Sequence, residues 1–313
     1  MVKIGTDQEY IERILSLPRP GEENYLAFYE HRLGAIFKNP RLLLLPMDDH
    51  LVHRGDGIFE ILQCVQGRIY QLDAHLDRMR RSCASIDLMM PCTLERLREL
   101  VIEVARAAEE KNLVIGLYIG QGPGGFTVDS RECPAPSLYI VARRPAFHPE
   151  SFWEQGVSAM KSSFPVQEQR LARIKSVNYL RNAMMKREAI ASGHDFPLCF
   201  NDEGLLSEGA TESAVVVNAR GQLLVPDCKG ALPGTTIRRA MELIAPEVPS
   251  RSWMITEEIL QEAKEIILLG TTIDAISVVR FNHRPVHDGK PGPVSKRLRE
   301  LLIQDAIETG VAI

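Results

Sequence analysis

What the chain lacks narrows it first. Its 313 residues contain no stretch approaching the roughly 20 consecutive apolar residues of a membrane-spanning helix, so insertion into a bilayer is not expected. The opening MVKIGTDQEYIERIL places acidic and polar residues where an export signal has a basic start and an apolar core, which argues against export. No C-x-x-C pair occurs. Cys64, Cys83, Cys92, Cys133, Cys199 and Cys228 lie far apart in a chain large enough to need no covalent staples, which predicts free thiols in a reducing cytoplasm. Charge of one sign is scarce: 37 Lys and Arg stand against 41 Asp and Glu, so there is no broad basic field of the kind nucleic acid binding draws on. The histidines His50-Leu-Val-His53 have no cysteine or third ligand at a useful spacing, and no H-E-x-x-H occurs, so zinc is not expected.

What is present reads as an ordinary globular chain, 45% hydrophobic and 25% charged, of a length that fits one large or two medium α/β domains. A short helix is predicted over 8–17, stopped by Pro18, Pro20 and Gly21. After a short apolar run at 42–46, residues 57–70 alternate around a Gln66-Gly67 turn and predict two strands of an antiparallel hairpin. Apolar residues at helical spacing follow over 72–89 and again over 93–111, the second behind a threonine N-cap. Strands at 113–119 and 137–141 flank a Gly/Pro-rich loop and complete a first α+β unit. Proline-containing, mixed-polarity residues 143–154 read as a linker. Beyond it come a strand near 157–160, a helix over 177–191 ending at Gly193, and short strands at 198–200, 214–217 and 222–225 read as hairpins. Helices at 236–244 and 257–263, a strand at 265–269 and a helix over 294–309 finish the chain.

Gly120-Gln-Gly-Pro-Gly-Gly125 matches G-x-G-x-x-G and follows a strand, but a dinucleotide site needs a helix to open within the motif. Residues 126–136 hold Cys133 and two prolines with no helical period, so a loop near an active site is the better reading.

Three features can be combined into one chemistry. Lys175 sits in Ala-Arg-Ile-Lys-Ser-Val-Asn-Tyr, where apolar neighbours would desolvate an amine and favour its neutral, nucleophilic form; a solvated lysine is the plain alternative. Glu208, in Leu-Leu-Ser-Glu-Gly-Ala-Thr between β-type segments, is a carboxylate that would need a cationic partner if buried, or else is a turn residue. Gly-Thr-Thr occurs twice, at 234–236 before a helix and at 270–272 after a strand, and each copy can offer backbone N–H groups and hydroxyls to a phosphate or simply cap a helix. An amine for an imine, an acid for a pyridine nitrogen and a cup for a dianion are the requirements of a pyridoxal 5'-phosphate (PLP) site.

Gly55-Asp-Gly-Ile-Phe-Glu60, His75-Leu-Asp-Arg-Met79, Ile174-Lys-Ser-Val-Asn-Tyr179, Ser207-Glu-Gly209, Leu232-Pro-Gly-Thr-Thr236 and Gly270-Thr-Thr272 occur in that order. Together they resemble the fold-type IV (class IV) PLP enzymes, a family of branched-chain aminotransferases, D-amino-acid aminotransferases and 4-amino-4-deoxychorismate lyases. The resemblance runs from about residue 42 to the end of the chain. It implies an α/β (α+β) fold with an extension at 1–24, a small α/β domain at 25–143, a linker at 144–154 and a larger pseudo-barrel domain at 155–313. It also implies a homodimer with PLP between the domains. It makes Lys175 the imine-forming lysine and proton carrier and Glu208 the partner of the ring nitrogen, and it assigns Arg78, Thr235, Thr236 and Thr271 to the phosphate. Tyr179 stands where branched-chain members bond the cofactor's phenolic oxygen, which favours a branched-chain-type transaminase, with the D-amino-acid type and the pyruvate-releasing lyase open. A non-catalytic PLP-binding protein is a remote alternative.

Substrate contacts are expected from Arg54, Phe59 and Thr272, with an amino acid and a 2-oxo acid as partners. Arg54 departs from the family, replacing an aromatic residue. It is expected either to bind a carboxylate of the substrate or of the 2-oxo acid acceptor, or to form a salt bridge with Asp56 or a neighbour. Phe59 is read as an aromatic pocket wall or as a core strand residue. Ser213 replaces an asparagine common after the Glu-Gly motif, and Gly122 falls about where D-amino-acid members place a carboxylate-binding arginine.

Overall fold

The computed structural model describes residues 2–146, 148–227 and 230–313; Cys228, counted above among the free thiols, lies outside them. The chain divides into two compact units, Met1–Pro145 with Val311–Ile313, and Ala146–Gly310.

The first unit opens with helix α1 (Asp7–Ser16), set by a capping box in which the Thr6 hydroxyl accepts from Glu9 N and the Glu9 carboxylate accepts from Thr6 N. Strands β1 (Tyr25–Glu30) and β2 (Ala35–Phe37) follow, then a single turn of helix α2 (His50–His53) and strands β3 (Gly57–Val65) and β4 (Arg68–Ile69). Helices α3 (Leu72–Ser85) and α4 (Leu94–Ala107), the latter capped by Thr93, precede strands β5 (Leu113–Gly120) and β6 (Ser137–Arg143). These strands and the C-terminal pair Val311–Ala312 make one sheet in the order Val311–Ala312, β4, β3, β5, β6, β1, β2, with every pairing antiparallel.

Alternation in β3 buries Ile58, Glu60, Leu62 and Cys64 on one face and leaves Phe59, Ile61 and Gln63 half-buried on the other. Helix α3 turns Leu72, Leu76, Met79 and Cys83 inward at helical spacing, together with His75 and Arg78. Side chains such as Ile58, Leu62, Met79, Leu97 and Leu100 are fully buried, each worth roughly 1.5–3 kcal/mol. The sheet is larger than the predicted hairpin because β1 and β2 join it. The apolar run 42–46 carries no strand: Asn39 caps a 3-10 turn at Pro40–Leu42, and prolines at 40 and 46 remove ladder donors.

The second unit contains α5 (Ser151–Gln155), β7 (Val157–Lys161), α6 (Gln169–Ala172), α7 (Leu180–Ala191), β8 (Phe196–Phe200), β9 (Leu206–Gly209), β10 (Ser213–Val217) and β11 (Leu223–Pro226). It continues with α8 (Thr235–Ile244), β12 (Ser250–Trp253), α9 (Glu257–Gln261), β13 (Glu265–Gly270), β14 (Asp274–Phe281), β15 (Arg284–Pro285) and α10 (Pro293–Thr309). Neighbour pairing runs β10, β13, β14, β7, β8, β9 and returns to β10 through the Glu208–Ser213 pair, so six strands close a barrel.

Period-2 alternation fills that barrel. Val157 and Ala159, Leu198 and Phe200, Ala214 and Val216, Ile266 and Leu268, and Ile276 and Val278 all join one buried cluster. Helices α8 and α10 lie against β13 and β14. The expected reading of hairpins holds for β10–β11, and β8 pairs antiparallel with β9, but the entry to β8 is a crossover: α6 and α7 connect β7 to β8, and these two strands pair in parallel. The helix predicted over 177–191 starts later, at Leu180. Among the described residues no helix is long and apolar enough to cross a membrane.

Candidate active site

In the second unit Lys175 lies on the irregular segment between α6 and α7. Its neighbours Ala172 and Ile174 are buried and anchor that segment, while Lys175 itself is half-buried. Tyr179, four residues on and the N-cap residue of α7, places its hydroxyl 3.3 Å from Lys175 Nζ, with the ring centroid 5.7 Å away.

Glu208 owes its direction to an irregularity in β9. Leu206 pairs with Phe200, but Gly209 pairs with Leu198, so one extra residue is inserted between these positions. Unbroken alternation would send Glu208 to the same side as Leu206, which is in the barrel core. The bulge instead aligns it with Ser213, whose neighbour Ala214 faces the core. Glu208 thereby reaches the side occupied by Cys199, Lys175 and Arg181. Burial pushes its carboxyl up to about 7, against opposing pulls from a hydrogen bond to Leu232 N (3.2 Å) and the positive charges of Lys175 and Arg181. A carboxylate so desolvated, with one backbone N–H as its hydrogen-bond donor among the described residues, is stabilised by any further N–H that carries positive charge.

The two Gly-Thr-Thr copies converge on the same end of the barrel. Gly234 is the N-cap residue of α8, with Thr235 and Thr236 buried in the first turn, so the helix N-terminus with its N–H groups and two hydroxyls forms one wall. A Cβ on Gly234 would lie 2.8 Å from Ser213 Oγ, and Ser213 pairs with both Glu208 and Leu269, next to Gly270. Thr271 and Thr272 form the turn between β13 and β14, Thr271 half-buried and Thr272 exposed. An amine, a desolvated carboxyl and an anion-seeking helix end thus share one region of this unit. Their chemistry fits PLP, which brings an aldehyde, a pyridine nitrogen and a phosphate.

The first unit holds Arg78, Arg54 and Phe59. Arg78 is buried on α3 and donates from Nε and Nη2 to the two oxygens of Glu60, each at 2.7 Å, while His75 Nδ1 lies 2.7 Å from Glu60 Oε2. Burial by itself would raise the Glu60 carboxyl, but the hydrogen bonds from Arg78 and His75 outweigh it and hold the group at about 2. Arg54 makes no ion pair with Asp56; its side-chain hydrogen bonds go to backbone oxygens. Its Nε donates to Thr127 O (3.0 Å), Nη2 to Phe126 O and Nη1 to His53 O (3.1 Å). The guanidinium therefore clamps the Gly/Pro-rich loop, which contains one 3-10 turn at Ser130–Glu132 and no α-helix. Gly122 in that loop has φ +96°, and a Cβ there would meet Ala135 O at 2.0 Å, so the chain passes itself too closely for any side chain. Phe59 stacks on Tyr118 with centroids 6.1 Å apart.

Four further residues shape these networks without having been singled out by sequence. Glu60 stands in a motif with no partner assigned, although an acid on the apolar face of a strand opposite an arginine and a histidine three apart is a readable signal. Arg181 comes beside Glu208 through the crossover, Cys199 through the bulged β8–β9 pairing, and Glu212, buried beside Gly209 and bonded by Thr211 N (3.1 Å), through the tight turn before β10. None of those three has a local signal.

A model of the amino-transferase class IV family matches residues 57–281. The D-amino-acid transaminase, chloroplastic, of Arabidopsis thaliana is 30% identical over 312 residues, covering 97% of this chain and 82% of that protein. The putative branched-chain-amino-acid aminotransferase of Methanocaldococcus jannaschii is 27% identical over 256 residues, 80% of this chain and 88% of its own length. In structure, the branched-chain amino acid aminotransferase of Escherichia coli superposes with a TM-score of 0.83 at 23% identity, over 92% of this chain and 95% of that one.

Proposed function

The chain belongs to the class IV aminotransferase family, and from that premise we propose that its amino donor is a D-amino acid, with a 2-oxo acid as acceptor. Dependence on PLP and transfer of an amino group between an amino acid and a 2-oxo acid, in two ping-pong half-reactions, are properties of this enzyme as of its family. The D configuration is supported by one observation: likeness to the D-amino-acid transaminase covers 97% of the chain, that to the branched-chain relative 80%. An L-branched-chain donor is the second reading, favoured by Tyr179 beside Lys175.

Bound PLP supplies an aldehyde carbon that condenses with amines and a ring that withdraws electrons from the substrate Cα. The rest falls to the chain. Lys175 Nζ is the amine that would hold the cofactor and, as a free amine, would take up the substrate Cα proton. Tyr179 Oη, 3.3 Å away, orients it. Glu208 would accept a hydrogen bond from the pyridine N–H, which would supply the compensation that burial denies it. Thr235 and Thr236 at the α8 N-terminus, with Thr271, hold the phosphate, and Arg78, its guanidinium fixed by Glu60, is the cationic partner carried over from the family resemblance. Phe59 and Thr272 are substrate contacts in this reading, while Arg54 acts on substrate by holding the Phe126–Thr127 backbone. A homodimer in the cytoplasm completes the proposal. Free thiols at Cys64, Cys83, Cys92, Cys133 and Cys199 are compatible with that compartment, and sedimentation velocity tests the dimer.

The deciding experiment adds D-alanine, L-leucine and L-glutamate separately to the holoenzyme without 2-oxo acid. The visible band is expected to bleach with one equivalent of D-alanine only. Bleaching by L-leucine alone establishes the second reading, and continued turnover of aminodeoxychorismate without acceptor would mark a lyase.

A further inference from the structure

On the sheet face away from α3 and α4, the first unit has a half-open cavity of about 300 Å³, at the lower end of the range for small-ligand pockets. Its floor is Gly116 of β5 and Val141 of β6, and its outer wall is the irregular segment carrying Leu43 and Leu45. That segment is pinned by Arg19, which donates to Pro40 O and to Leu43 O (3.4 Å) and stacks over Tyr25 at 5.0 Å. The absence of a side chain at Gly116 sets the depth: a Cβ there would come within 2.9 Å of the Tyr118 ring.

The cationic side chain at one edge of this cavity is not used in an ion pair among the described residues. Arg143, the last residue of β6, is half-buried and lines the cavity, yet among the described residues it makes no ion pair. Its neighbour Arg144, by contrast, is satisfied by Glu110 and Glu23 O. Among the described residues no acidic side chain lines the cavity, and the charge of Arg143 reaches the Tyr118 phenol. Tyr139, the third aromatic wall, already donates its hydroxyl to Asp49 (3.1 Å).

We propose that this cavity is a binding site for small organic carboxylates with a branched-aliphatic or aryl body, and that it rejects the corresponding amino acids. The carboxylate meets the Arg143 guanidinium, and the body lies among leucines and tyrosine rings. An ammonium group would find no carboxylate to pair with and would lose its hydration. The site thus takes the deaminated acids and not the amines from which they come. Tyr118 also stacks on Phe59, so the test must separate this cavity from the substrate pocket.

The probes are 3-phenylpropanoate and its neutral counterpart 3-phenylpropan-1-ol, titrated calorimetrically into the holoenzyme and located crystallographically. The acid is expected beside Arg143, with affinity falling by about tenfold or more in Arg143→Gln, retained in Arg143→Lys, and weakened in Leu45→Trp, which fills the cavity and leaves the charge in place. Steady-state constants for donor and acceptor are expected to stay unchanged in all three, and thermal melts confirm that each is folded. Equal binding of acid and alcohol, equal binding by wild type and Arg143→Gln, or a KM that rises as probe binding is lost would each overturn the proposal, the last by making the cavity part of the substrate site.

Discussion

Glu60 in the first unit and Glu208 in the second are both desolvated carboxylates on short-range β structure, and they titrate in opposite directions. Glu60 is gripped by Arg78 and His75 and held at about 2; Glu208 has one backbone donor and two more distant cations and sits at about 7. The Glu60 carboxylate is compensated within the fold, and the Glu208 carboxylate becomes so only with a partner. A buried ionisable group held near neutrality is a marker of function where a fully compensated one marks structure.

Four measurements test that contrast, from the largest expected effect down. Lys175→Ala is expected to lower kcat by on the order of 10³-fold or more with little change in melting temperature, because it removes the reactive amine and no core packing. A loss of stability in step with activity would erase the distinction between the two regions. Arg78→Met leaves the buried Glu60 charge with His75 as its remaining partner among those described and should cost about 3 kcal/mol in urea denaturation. The Glu60 contribution itself is present above pH 4.5 and disappears as pH falls through about 2, because its folded carboxyl lies below the ordinary value.

Glu208→Gln has the opposite sign. In the apoprotein the wild-type carboxyl is raised, so stability is fullest below pH 4.5 and declines as pH rises through about 7. The variant escapes that decline. It should match wild type in acid and exceed it above neutrality by on the order of 1–2 kcal/mol, allowing for partial solvent screening, and a flat difference with pH would show that Glu208 is compensated after all. The smallest effect belongs to Arg54→Leu. Losing its bonds to Phe126 O and Thr127 O should cost about 1 kcal/mol and speed amide hydrogen exchange across 124–134, with KM rising in parallel. A raised KM with unchanged exchange would return Arg54 to direct contact with substrate.

The sequence was readable wherever the signal is local. Thr93 as an N-cap, helical spacing in α3 and α4, the Gln66-Gly67 turn and the β-rich runs of β5 and β6 each depend on a few adjacent residues and lie where expected, except that α3 and α4 end at Ser85 and Ala107, short of the expected limits. Strand β1 was not, because Ala27, Phe28, Tyr29 and Glu30 are all buried and a strand covered on both faces has no alternation to detect. The short strand β9 depends on the closing of the barrel, which no local run encodes. The candidate site divides in the same way: Lys175, Glu208 and the Gly-Thr-Thr pairs stood out by type and order, whereas the bulge that aims Glu208 and the diversion of Arg54 to a loop backbone are settled by register and tertiary contact.

Val311–Ala312 have a consequence for how the molecule is made. They supply an edge strand to the first unit, pairing with β4, yet they leave the ribosome only after all of residues 146–310. The sheet that starts first in synthesis is therefore finished last, with the edge of β4 open in the nascent chain for the whole time the barrel is being translated.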